Sequence, residues 1–141
     1  MFFKSNTFSS LSNGANIVTK LSRLLSDDFQ MFSGNDDIIV PMMSIGASGV
    51  ISVLANIAPK QTAKICSLCE DGNYKEANKL ANDLLPLTND LFIEVNPIPV
   101  KEAMNYLGFN VGGYRAPLDY MDKAKLEVLK KEIDDSKEII F

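Results

Sequence analysis

The sequence predicts an α/β fold with a short parallel sheet, followed by a region that is helical only. Up to residue 71, apolar stripes of helical period alternate with short apolar runs across brief connections, the pattern of parallel strands with helical crossovers. The run G-A-S-G-V-I-S-V at 46–53 is rich in β-branched residues and does not alternate cleanly, as is typical of a strand buried on both faces. After Gly72 only helical periods remain, so the chain as a whole is expected to be helix-dominated.

The elements of the first half follow from these periods and from the turn residues between them. In order, they are an irregular segment at 1–14 that contains a short strand at 7–11, a helix at 15–25, a strand at 29–33, a helix at 38–45, a strand at 49–53 and a helix at 60–71. The helix at 38–45 is apolar almost all round and is expected to be buried. Two strands leave open edges, so the chain is expected to need a partner, to self-associate or to aggregate.

Three helices are predicted in the second half. The first follows an apolar stripe at 74–92 and bends at Pro86, the second spans 100–107, and the third spans 121–136. The third is charged, with one apolar face formed by Met121, Ala124, Val128 and Leu129. The chain is thus divided into a remnant or irregular segment at 1–14, a partial α/β unit at 15–71 and a helical region at 72–141.

Composition excludes several classes of function. The 141 residues include no histidine, which excludes Ser-His-Asp and Cys-His nucleophiles and most transition-metal sites. The net charge is −4 and the lysines are scattered, so no binding to nucleic acid is predicted. No apolar run reaches the roughly 18 residues of a membrane helix, and no secretory signal is predicted. The two cysteines suit a reducing compartment, so a cytoplasmic location is expected.

Two pairs of residues and one lysine admit both a structural and a functional interpretation. Cys66 and Cys69 match C-x-x-C, but their place within a predicted helix favours core packing over a redox pair. Asp36 and Asp37 suit metal ligands or paired carboxylates, although a helix start favours acidic caps. Lys101 fits a surface lysine whose stem packs on apolar neighbours.

Gly34 follows a predicted parallel strand, and ligands bind at the carboxyl ends of such strands. A glycine there lets the backbone approach a ligand, or it simply permits the turn. The residues themselves leave both interpretations open.

Several motifs in series resemble those of one family. They are S-G-N-D at 33–36, G-V-I-S-V-x-A-N at 49–56, L-L-P-L at 84–87, L-F-x-E at 91–94, N-P-I-P-V-K at 96–101 and R-x-P-L at 115–118. In order and spacing, the series resembles the C-terminal part of dihydrodipicolinate synthase over about residues 15–135. The resemblance implies the last two βα units of a (β/α)8 TIM barrel, with strands seven and eight at 29–33 and 49–53, followed by that family's helical region.

The family condenses pyruvate with aspartate semialdehyde in lysine and diaminopimelate synthesis, and it is usually a homotetramer. A lysine on the sixth strand forms a Schiff base with pyruvate, and a tyrosine relays protons. Leu11 stands where that lysine would fall, and the spacing of Lys4 makes it a poor substitute. The tyrosines of this chain lie in the helical region and match none of the relay residues: Tyr74, Tyr106, Tyr114 and Tyr120. The resemblance therefore implies no catalytic residue, cofactor or metal in this chain.

Three positions carry over to the pocket. Ile51 matches the residue of strand eight whose backbone lines the pyruvate site, Gly34 matches a glycine of the pocket wall, and Asn96 matches an asparagine near the semialdehyde entrance. The chain is expected to be inactive alone and to act as a homo-oligomer or with a complementing barrel fragment. The alternatives are a non-catalytic remnant or subunit-interaction module, and a fragment of a sibling pyruvate aldolase such as N-acetylneuraminate lyase. The N-P-I-P-V-K run favours the synthase.

Overall fold

A computed structural model describes Lys20, Arg23 and residues 30–141. Lys20 is helical and Arg23 lies in a turn. The rest of the predicted helix at 15–25, the predicted strand at 7–11 and the positions of Leu11 and Lys4 fall outside the described residues.

Seven α-helices make up most of the described part of the chain. They are α1 Ile39–Ser44, α2 Pro59–Glu70, α3 Tyr74–Asp83, α4 Leu85–Asp90, α5 Ile98–Tyr106, α6 Lys123–Asp135 and α7 Lys137–Ile140. Two single turns of 3₁₀ helix, Asp36–Ile38 and Leu54–Asn56, precede α1 and α2. Residues 30–141 contain no strand, so the fold is helix-dominated there.

The two segments predicted as strands nevertheless pair in parallel over a short length. Ser33 and Val50 form an isolated parallel bridge, and α1 lies between them in the sequence, so the chain makes a helical crossover. The main-chain bonds, N–H to carbonyl oxygen, run from Ser48 to Met31 (2.7 Å), from Ser33 to Gly49 (2.8 Å) and from Ile51 to Ser33 (2.8 Å).

One face of this pairing is covered and the other is open. Met31 and Ser33 are buried, whereas the side chains of Phe32 and Ile51 are 39% and 56% exposed. Successive side chains of an extended chain point to opposite faces, so helices of the described chain cover only the face that carries Met31 and Ser33. The expectation that the run at 49–53 is buried on both faces is therefore wrong for Ile51.

The first helix is buried on one side only, against the prediction for 38–45. Ile39, Val40 and Met43 are buried, but Pro41 and Ser44 are exposed. The reason is that α1 packs against α2 and α3, which cover one side of it.

The second half contains five helical segments where three helices were predicted. The stripe at 74–92 is broken at Leu84 into α3 and α4, because Pro86 has no N–H to donate and its ring would clash with the carbonyl four residues earlier. The third predicted helix is broken at Ser136 into α6 and α7.

The buried face of α6 also differs from the prediction. Leu129 and Ile133 are fully buried, whereas Val128 is 47% exposed and Ala124 is exposed. The helix begins at Lys123, because the carboxylate of Asp122 accepts hydrogen bonds from the main-chain N–H groups at the first turn, at 3.0 and 3.2 Å.

α2 joins the two halves of the chain. It packs against α1, α3 and α7, and Nε2 of Gln61 donates a hydrogen bond to the Ile139 carbonyl oxygen at 2.5 Å. Within the described ranges, no helix is both long and apolar enough to cross a membrane. The fully buried large apolar residues are Ile39, Leu54, Ile65, Leu84, Leu87, Leu91, Pro99, Leu129 and Ile133.

The cysteine pair lies in α2 as packing residues. Cys66 is half-buried and Cys69 is 3% exposed. Burial raises the pKa of both thiols, and the nearby Glu70 carboxylate raises it further.

Both thiols are expected to react slowly with a thiol-specific disulfide reagent at pH 8, because the thiolate is the reactive form. We expect the folded chain to react at least about tenfold more slowly than the same chain in urea, with Cys69 slower than Cys66. A reaction as fast in the folded chain as in urea would contradict the core-packing role.

Candidate functional site

Ser33 brings Gly34 and Ile51 together at one end of the parallel pairing. The Ile51 N–H donates to the Ser33 carbonyl oxygen at 2.8 Å, and Gly34 follows Ser33 directly. Because Ser33 pairs with Val50, Ile51 lies on the same side as Phe32, which is the open side, and Gly34 is exposed where the pairing ends. Two of the three site residues predicted from the sequence therefore lie side by side at the carboxyl ends of parallel segments, where α/β folds bind ligands.

A buried carboxylate joins the loops that follow these segments. Asp36 is 6% exposed; its Oδ1 accepts a short hydrogen bond from the Ser52 hydroxyl. Its Oδ2 accepts hydrogen bonds from the N–H groups of Val53 and Leu54, at 2.9 and 3.1 Å. The Ala55 N–H donates to Oγ of Ser52 at 2.7 Å. We refer to these five residues as the Asp36 network.

The expectation that Asp36 caps the helix that follows it is wrong. No side-chain cap is formed at the 3₁₀ turn Asp36–Ile38, and the carboxylate instead caps the turn Leu54–Asn56 across the parallel pairing. Asp37 is exposed. Among the described residues, no group of three or more acidic or cysteine side chains is placed to hold a metal ion.

Asn96 lies apart from the other two predicted site residues. It is exposed and precedes Pro97 through a cis peptide bond, at the start of α5. No hydrogen bond between described residues joins it to Gly34 or Ile51. Its link to them is indirect, because α5 packs against the turn Leu54–Asn56 that follows Ile51.

Polar side chains of α5 anchor the loop between α5 and α6. Lys101 donates a short hydrogen bond to the Gly113 carbonyl oxygen, and its Nζ lies 5.3 Å from the centroid of the Tyr114 ring. Glu102 accepts a hydrogen bond from the Tyr114 hydroxyl at 2.6 Å. The Asn105 side chain forms two bonds with the main chain of the loop, at 2.9 and 3.2 Å. Lys101 is therefore a loop anchor and not only a surface lysine.

Two cavities are formed near these elements, and neither is lined by Gly34, Ile51 or Asn96. One of about 190 Å³ lies between α1, α3 and α4 and is bordered by Asp36 and Asp37. The other, of about 480 Å³, lies between α5, the loop and the start of α6. We take the open rim at Gly34 and Ile51 as the candidate site, because both predicted residues converge there.

Ser52 belongs to this rim but is not among the site residues that the sequence predicts. A local sequence pattern could have indicated Ser52. It directly follows the β-branched run, and its hydroxyl can accept a hydrogen bond from the N–H group three residues later, as serine often does. The bond to Asp36, 16 residues away, leaves no comparable trace in the sequence.

Comparison with known proteins agrees with the motifs. Residues 7–136 match the model of the dihydrodipicolinate synthetase family. The 4-hydroxy-tetrahydrodipicolinate synthase of Clostridium tetani is 50% identical over 118 residues, which are 84% of this chain and 40% of that protein. The crystal structure of dihydrodipicolinate synthase from Aquifex aeolicus matches with a TM-score of 0.84 at 32% identity, covering 87% of this chain and 42% of that chain.

A third relative is a chloride-inhibited dihydrodipicolinate synthase from Acinetobacter baumannii, in complex with pyruvate. It matches with a TM-score of 0.82 at 34% identity, covering 90% of this chain and 43% of that chain. The chain spans about two fifths of the length of the curated relatives that it matches. Because the family model covers most of the residues and the solved structures share the fold, the chain belongs to the dihydrodipicolinate synthetase family.

Proposed function

We propose that this chain supplies the C-terminal part of a 4-hydroxy-tetrahydrodipicolinate synthase, which condenses pyruvate with aspartate semialdehyde in lysine and diaminopimelate synthesis. The observation that carries the proposal is the pairing at Ser33, which sets Gly34 and Ile51 side by side at the ends of two parallel segments. Both positions resemble pocket-wall residues of the family, and the pyruvate complex of the A. baumannii relative supports the same ligand.

In this proposal, the segments at 29–33 and 49–53 are strands seven and eight of a (β/α)8 barrel, and 72–141 is the added helical region. The parallel bridge and the helical crossover through α1 support this assignment. Phe32 and Ile51 then face the interior of the barrel, where the remaining strands cover them. Their exposure in this chain is what an incomplete barrel leaves behind.

The Schiff-base chemistry is assigned to residues that this chain does not carry. An unprotonated lysine amine must attack the pyruvate carbonyl, and the carbinolamine that forms must lose its hydroxyl as water to give the Schiff base, with a relay to move the protons. Leu11 stands at the position of that lysine. This chain therefore supplies binding groups: the main chain at Ile51 and Gly34 for pyruvate, and Asn96 near the semialdehyde entrance. Alone, it is inactive.

The partner in this proposal is the remainder of a synthase barrel, in a cytoplasmic homo-oligomer. To test it, the chain is mixed with a separately expressed piece that carries strands one to six of a related synthase, and pyruvate and borohydride are added. We expect a covalent adduct on the added piece only when both pieces are present. A folded mixture without an adduct would contradict the proposal.

A matched pair of glycine variants tests the pocket wall. Gly34→Leu should lower the yield of adduct about tenfold or more, because a side chain at the wall displaces pyruvate from the lysine. Gly113→Leu is the control, since Gly113 is exposed and a Cβ there meets nothing within 4 Å. Equal yields from the two variants would remove Gly34 from the site.

The open face at Phe32 and Ile51 also supports a second, non-catalytic role as a subunit-interaction module. This role predicts that the chain sediments with an intact synthase but promotes no adduct. A mixture that forms the adduct without condensing aspartate semialdehyde would instead indicate a sibling aldolase.

A further inference from the structure

We propose that Asp36 is the positioning residue of this site: its carboxylate fixes the main chain after Ile51 and, through it, the helix that follows Asn96. The proposal rests on the proposed function for the role of Ile51 as pocket wall. The bonds themselves belong to this chain and can be measured without any partner.

Asp36 is a buried carboxylate. Removing an ionised carboxylate from water is costly unless hydrogen bonds compensate for the lost hydration. Asp36 is 6% exposed and takes part in none of the ion pairs formed by the described residues. Its compensation comes from the hydroxyl of Ser52 and the N–H groups of Val53 and Leu54. Burial of the Asp36 carboxylate therefore requires that its three donors keep this arrangement.

The three donors to the Asp36 carboxylate lie next to Ile51 in the sequence. They are the three residues directly after Ile51, whose own N–H is held by the Ser33 carbonyl oxygen. The N–H of Ile51 is therefore held by Ser33, and the three residues that follow Ile51 are held by Asp36. With both sides held, the main chain at Ile51 has a fixed position beside Ser33.

Asn96, the remaining site residue, is connected to Asp36 through α5. Asp36 caps the turn Leu54–Asn56, and α5 packs against that turn. Asn96 stands just before α5. No direct hydrogen bond joins Gly34, Ile51 and Asn96. Gly34 and Ile51 are nevertheless close in sequence to Asp36 or to its donors, and Asn96 is linked to Asp36 by the packing of α5 on the capped turn.

The test is amide hydrogen exchange, followed by NMR, on the isotope-labelled chain alone. In Asp36→Asn, the amides of Val53 and Leu54 should exchange about 10- to 100-fold faster than in the unmodified chain, because bonds to a charged acceptor are replaced by weaker ones. The Ile51 chemical shifts should move as well. Asp37→Asn is the matched control, since Asp37 is the exposed neighbour; it should change these rates less than about twofold.

A second variant keeps the test decisive if Asp36→Asn does not fold. Ser52→Ala removes one donor to Asp36 and the acceptor for Ala55, and it should speed amide exchange at Ala55 while the exchange rates in α6 stay unchanged. Uniform acceleration along the chain, or Ile51 chemical shifts that do not move in Asp36→Asn, would show that Asp36 only stabilises the fold in general and would overturn the proposal.

The consequence for the site is measured in the mixture with the complementing piece. Asp36→Asn should raise the pyruvate concentration needed for half-maximal borohydride trapping, and Asp37→Asn should not. If the unmodified chain forms no adduct, the proposed function fails while the exchange result still decides whether Asp36 holds the main chain. If the adduct forms and Asp36→Asn leaves its pyruvate dependence unchanged, the positioning role fails alone.

Discussion

Replacing Leu129 with alanine should lower the free energy of unfolding by about 2–5 kcal/mol, the range for truncating a fully buried leucine. Leu129 is 0% exposed and lies on α6, which packs against α4 and α5. The lost methyl groups leave a cavity that the surrounding helices fill only in part. For a domain stabilised by about 5–15 kcal/mol, this is a large fraction of the total.

The matched control is Val128→Ala on the neighbouring residue. Val128 is 47% exposed, so its truncation should cost less than about 1 kcal/mol. Urea unfolding followed by circular dichroism measures both changes. Equal losses would contradict the buried face described here and would favour the apolar face predicted from the sequence, which included both residues.

Replacing Tyr114 with phenylalanine should lower the free energy of unfolding by about 1 kcal/mol at pH 8, with the loss shrinking above pH 10. The Tyr114 hydroxyl donates to Glu102 at 2.6 Å, and a partly exposed bond to a charged group contributes about this much. Burial, with the Glu102 carboxylate, raises the pKa of Tyr114 above the ordinary value near 10.

The sign of the pH dependence follows from that raised pKa. The stabilisation is fully present below the unfolded pKa and is lost as the pH rises above it, because only the unfolded chain then ionises Tyr114 readily. Phenylalanine cannot ionise, so the difference between the two proteins should narrow from pH 8 to pH 11 in urea unfolding. Tyr74→Phe is the control, because Tyr74 lies on α3 and is exposed. A difference that grows with pH would contradict the assignment.

Helix ends that depend on single residues could be predicted from the sequence. The helix predicted at 60–71 is observed as Pro59–Glu70, and Gly72 follows it with a φ of +78°, a conformation that glycine adopts without strain. The sequence also predicts a bend at Pro86, because proline disrupts the hydrogen bonds of the helix that contains it. In the structure the helix is not bent but interrupted, at Leu84.

Features that depend on distant residues could not be predicted. A helical period shows that α6 has an apolar face but not which neighbours meet it, so Val128 was placed with Leu129. The burial of Ile51 depends on what covers the second face of the pairing. At the candidate site, the motifs in series predict Gly34 and Ile51, and their role in a pocket stays a prediction. The bond between Asp36 and Ser52 joins residues 16 apart and has no periodic signal.

The Asp36 network also determines which positions near the site are free to vary. Two of its three donors to the carboxylate are main-chain N–H groups, and every amino acid except proline provides one. The side chains at 53 and 54 can therefore change, within the limits of packing, without loss of these bonds. The demand for particular side chains falls on position 36, which needs a carboxylate, and position 52, which needs a hydroxyl. In a set of related sequences, residues 36 and 52 should change together, and proline should be missing from 53 and 54.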